Sequence, residues 1–122
     1  MRHRERFLRA MLLSLAFNSD ETTQFPWAQE LWTRDVDLPS RFGICMDALV
    51  VLPTRAFDLV WHGYEHIVNE RLTEIGALAE ELARRADDLT DDPRMRMLMP
   101  MLLEGLVPMQ QEKIQNTKTQ VH

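Results

Sequence analysis

Only one of the 122 residues is cysteine, Cys45, so no internal disulfide can form and the fold must be held by its core, as in the reducing cytoplasm. Glycine is nearly as sparse. Gly43, Gly63, Gly76 and Gly105 stand singly, which leaves no glycine-rich loop to cradle a phosphate and speaks against nucleotide chemistry. No stretch approaches the roughly eighteen uninterrupted apolar residues that a membrane span needs. A basic surplus is missing as well: 14 Lys and Arg face 19 Asp and Glu, and the formal charge of -5 repels a polyanion. Neither an internal repeat nor a low-complexity tract is present.

What is there reads as a folded globule. A hydrophobic fraction of 45% with 27% charged residues suits one domain of this length, and the spacing of the apolar residues predicts an all-α bundle of four to five helices. We place that domain over residues 1–115, with 116–122 a frayed polar tail. Phe7, Leu8, Met11, Leu12 and Leu15 recur at spacings of three and four among Arg2, Arg4, Arg6 and Arg9, which predicts an amphipathic helix over about 3–17. The same start superficially resembles a secretory signal, but Glu5 and Arg9 spoil the charge pattern and the amphipathic face argues for a retained helix. Pro26 suits the first turn of a short helix carrying Trp27, Leu31 and Trp32 and ending near Arg34. Asp35 to Pro39 is expected to be extended, with Ser40 as the cap of an almost wholly apolar element over 40–52, where period alone does not separate helix from buried strand and the length before Pro53 favours helix.

The clearest pattern begins at Thr54. Phe57, Val60, Trp61, Tyr64, Ile67, Val68, Leu72, Ile75, Leu78 and Leu82 define one long amphipathic helix over about 54–88. Unbroken, it would extend about 50 Å, far beyond a globule of about 14 Å radius of gyration. It must therefore break, most cheaply at Gly63 or Gly76, or rest its overhang on a partner. Asp92 and Pro93 then signal the cap and first turn of a methionine-rich C-terminal helix, which Pro100 and Pro108 are expected to kink or segment.

Three groups of residues invite a chemical reading. His62-Gly63-Tyr64-Glu65-His66 has the H-x-x-E-H spacing of the inverzincin metallopeptidases. In that arrangement two histidines one helical turn apart hold zinc while the glutamate polarises a metal-bound water; Asp58 and Glu70 lie a turn to either side. The resemblance spans five residues, and the favoured reading is a solvated helix face opposite the apolar stripe; of the two chemical readings, weak metal binding by the histidine pair ranks above zinc-dependent hydrolysis. Cys45 lies in an apolar run, where a thiolate is poorly solvated, so it reads as core rather than nucleophile. The N-terminal arginines offer a small basic patch for nucleic acid, yet with Glu5 among them they read first as a solvated face. A helix-turn-helix over 26–52 fails, because its second element lacks polar side chains to read bases.

The methionines provide the third group. Met95, Met97, Met99, Met101 and Met109 sit among Leu98, Leu102, Leu103, Leu106 and Val107, and such polarisable side chains either fill a core or form an adaptable binding surface. From this we expect a small protein-binding module, such as an adaptor, chaperone, inhibitor or regulatory subunit, with Met95, Met99, Leu102, Leu103 and Leu106 touching a protein partner or a second copy in a homodimer. The rival expectations are a zinc hydrolase using His62, Glu65 and His66, and a nucleic-acid accessory factor using the basic first helix. Catalysis ranks below binding.

Overall fold

The computed structural model describes the backbone of residues 3–17, 36–86 and 93–120, and the side chains of 3–17, 36–85 and 96–115. All of its regular structure is helical: α1 (His3–Ala16), α2 (Leu38–Val50), α3 (Thr54–Glu70), α4 (Leu72–Ala86) and α5 (Pro93–Gln120). The expected helix at Trp27, Leu31 and Trp32 lies outside the described residues, as do the side chains of Asp92 and Met95.

The first helix is the hub. From Ala10 to Phe17 every residue is buried, and α1 packs against each of the other four helices. A helix apolar all round its C-terminal half can be stable only when surrounded, which is what this sequence dictates. Ser14 is the one polar residue in that stretch; its hydroxyl donates to the Ala10 carbonyl at 2.7 Å and so is not stranded. Phe42, Cys45, Met46 and Leu49 of α2 and Phe57, Trp61 and Val68 of α3 complete one side of the core. Leu72, Ile75, Ala79 and Leu82 of α4 face Leu98, Met99, Leu102 and Leu106 of α5 on the other.

Several boundaries differ from the sequence expectation, each for a local reason. Helix α2 begins at Leu38, not Ser40. Asp37 is its cap, in extended conformation, and its carboxylate accepts the Ser40 backbone N–H at 3.1 Å, leaving Pro39 in the first turn, where its missing N–H costs nothing. Hydrogen bonds from Ser40, its hydroxyl first and its backbone N–H second, hold the Asp37 carboxyl below the usual value. The long 54–88 pattern does break, but at Arg71 and at neither glycine. The Arg71 N–H is shared between the Ile67 and Val68 carbonyls, and helix resumes at Leu72. In α5 the helix runs through Pro100 and Pro108 without segmentation and on to Gln120, into the expected tail. Both prolines are on exposed residues, as are Arg96 and Glu104, whose carbonyls lose their i+4 donors and can turn to water instead.

Three helix C-termini are held by cations from outside the helix they close. Arg6 of α1 donates from Nη2 to the carbonyls of Val50, at 3.1 Å, and Leu52, at the end of α2. Arg71 Nη1 donates to the Ala16 carbonyl at 2.7 Å, closing α1, and Lys113 Nζ of α5 reaches the Glu70 carbonyl at 3.2 Å, closing α3. Positive charge at these ends opposes the negative pole of each helix and satisfies carbonyls that have no partner within their own helix.

Candidate functional site

Each candidate from the sequence can now be located. Met99, Leu102 and Leu106 are 3%, 0% and 2% exposed, buried within the chain itself, so a partner approaching α5 cannot touch them without unfolding it. Leu103 is half-buried against the core, and Met95 is outside the described side chains. The apolar side chains that α5 does present are Met97, Val107 and Ile114, with Met97 69% exposed. Five methionines spread along one helix hide this division in the sequence, because α5 carries apolar residues on both its inner and outer faces.

A groove runs beside this helix. Between the N-terminal half of α1 and the middle of α5 lies an open cleft of about 510 Å³, lined by Leu8, Met101, Gly105 and Pro108 with Arg4, Glu5 and Glu104 at its edges. Its floor exists because α1 approaches α5 at a glycine. A Cβ placed on Gly105 would fall 2.7 and 2.8 Å from the two methyl carbons of Leu8, closer than carbon atoms pack. Met97 is one turn before Met101 on the same face and continues the apolar strip beyond the cleft. At the rim Arg4 pairs with Glu104 at 3.4 Å, both widely exposed, and Arg9 pairs with Glu5 at 2.8 Å. Such surface pairs contribute about 0–1 kcal/mol and open readily to a ligand.

Of the basic residues of α1, Arg4 is exposed, as a solvated face requires, but Arg6 and Arg9 are only half-exposed. Besides gripping the end of α2, the Arg6 guanidinium lies 4.8 Å from the centre of the Phe57 ring, and that of Arg9 lies 4.9 Å from the Trp61 ring. Two of the cations that would have served a nucleic-acid contact are thus half-buried parts of the packing.

His62, Glu65 and His66 are all exposed on α3, opposite buried Phe57, Trp61 and Val68. Among the described residues no three His, Cys, Asp or Glu side chains converge as a metal site, so Glu65 does not join the two histidines around a common point. Cys45 is fully buried and burial pushes its thiol up to about 11, which keeps it protonated and unreactive at neutral pH. A second cavity, of about 240 Å³, lies where α1 ends, between Phe17, Leu38, Arg41 and Arg71; Arg71 there is engaged with Ala16. Among the described residues no helix is long and apolar enough to cross a membrane.

No protein-family model matches the chain, and neither any curated protein nor any solved structure matches it.

Proposed function

We propose that this chain is a small protein-binding module that takes an apolar, basic segment of a partner protein along the groove between α1 and α5. The observation that carries this reading is the groove itself, an open cleft of about 510 Å³ with Met101 and Leu8 in its lining and Met97 projecting one turn away. Covering an exposed methionine is worth about 2 kcal/mol, so Met97 with the half-covered Met101 and Leu8 supplies a driving force suited to reversible docking. Methionine adapts its shape to what it meets, which suits recognition of a partner helix through i, i+3 and i+4 anchors. Glu5 and Glu104 at the edges are each paired with an arginine, but Glu112 follows one turn after Pro108 and the chain as a whole is acidic, so a basic partner is favoured in encounter.

The test is site-specific photo-crosslinking in the cells that make this protein, with the crosslinking residue at Met97 in one variant and at exposed Arg84 of α4 in another. A protein trapped at Met97 but not at Arg84, and lost when Met101→Lys places a charge in the groove, supports the proposal. Identical products from the two positions, or capture unaffected by Met101→Lys, refute it.

A further inference from the structure

We propose that the outer face of α3 is a metal-dependent self-association surface, on which two copies of this chain share one zinc-class divalent ion held by His62 and His66 from each. This does not rest on the α1–α5 groove. The two histidines stand four residues apart within an uninterrupted helix, so their imidazoles emerge on one face one turn apart, and both are exposed. Imidazole is a preferred ligand of zinc, copper and nickel ions, and a rigid helix presents the pair without the entropy cost of ordering a loop.

Ligand number then brings in the second copy. Zinc in a stable site takes four ligands. The described residues of one chain offer two, since no third His, Cys, Asp or Glu among them completes a trio. An ion bound to one chain therefore keeps two positions that a second pair of histidines can fill.

The rest of the face permits close approach. Gly63 lies between the histidines with nothing within 4 Å of the place a Cβ would occupy, and Leu59, one turn earlier, is 69% exposed. Gly63 leaves room beside the histidines, and two such helices on meeting cover each other's leucine. Charge sets the condition. Asp58, Glu65 and Glu70 accompany Arg55 on this helix, so two metal-free faces repel each other, and a divalent cation at their centre offsets that repulsion. Association is accordingly conditional on the ion.

The experiment uses the full chain without a polyhistidine tag, analysed by native mass spectrometry and sedimentation velocity with EDTA and with half an equivalent of zinc chloride. The expected result is a monomer in EDTA and, with zinc, a dimer holding one ion. His62→Ala and His66→Ala, both at exposed helical positions that alanine suits, should each weaken the zinc-dependent dimer at least about tenfold, since even loss of an outer-shell partner costs about that much. A dimer that persists in EDTA, a zinc-loaded monomer at these concentrations, absence of zinc uptake, or a zinc-dependent dimer undiminished in the two variants would each overturn the proposal.

Discussion

Replacing Gly105 with alanine sets two opposing effects against each other, and the structure decides the sign. In the interior of a helix the change from glycine to alanine is worth about 1 kcal/mol in favour of the folded state, because glycine loses more backbone freedom. At Gly43 of α2 nothing lies within 4 Å of the added carbon, so that gain is realised. At Gly105 the added carbon would meet the Leu8 methyl carbons at 2.7 and 2.8 Å and the Cγ at 3.3 Å. Turning the end of the leucine only exchanges one methyl for the other, so Leu8 must leave its rotamer or α1 must move off α5. Overpacking of this kind costs about 1–3 kcal/mol. We therefore expect Gly43→Ala to stabilise by about 1 kcal/mol and Gly105→Ala to be neutral or to destabilise by up to about 2 kcal/mol. Urea unfolding followed by circular dichroism resolves that gap. The cause is checked by a double variant: with Leu8→Ala already in place the obstruction is gone, and Gly105→Ala should then stabilise by about 1 kcal/mol. If Gly105→Ala matches Gly43→Ala in the native background, α1 does not approach α5 at this point, and Leu8 does not form the groove floor.

The remaining predictions concern the core thiol and the helix ends. The folded chain binds the Cys45 proton more tightly than the unfolded chain does, with its pKa raised from 9.0 to about 11, so this group costs nothing below pH 9 and lowers stability as the pH climbs from 9 toward 11. The slope approaches about 1.4 kcal/mol per pH unit and should vanish in Cys45→Ala, a comparison that alkaline urea titrations make directly. In native protein at neutral pH, Cys45 should react with a thiol reagent only as fast as the chain opens; stoichiometric labelling without unfolding would contradict its burial. Arg71→Met keeps the aliphatic stem but removes the donor to Ala16, and should cost about 1–3 kcal/mol by leaving a buried carbonyl without its charged partner. A change below about 0.5 kcal/mol in the same unfolding assay would mean that the contact does not hold the end of α1.

Much of this architecture was legible from periodicity. The stripe from Phe57 to Leu82 marks the inner face of α3 and α4, Pro93 marks the start of α5, and the apolar run around Cys45 marks a buried segment, because each signal is carried by residues within a turn or two of one another. The candidate site was less legible. Met99, Leu102 and Leu106 could be read either as core or as a partner-binding surface and are buried in the core, since a helix with apolar residues on several faces does not say which face the rest of the chain will cover. Arg6 and Arg9 read as solvent-facing for the converse reason: a long cationic side chain can lie along an aromatic ring and reach a carbonyl beyond it, and nothing nearby in the sequence announces either.

By itself the sequence determined the helical class, the approximate extent of most described helices and the burial of the lone cysteine, since helical amphipathicity and caps are local properties with a period of 3.6 residues. Tertiary structure alone decided the break at Arg71, the closure of three helix ends and the groove between α1 and α5. The physical reason is separation along the chain: Arg71 meets Ala16 across 55 residues, Arg6 meets Val50 across 44, and Arg4 meets Glu104 across 100. Contacts of that kind follow from how finished helices pack, and no window of neighbouring residues contains them.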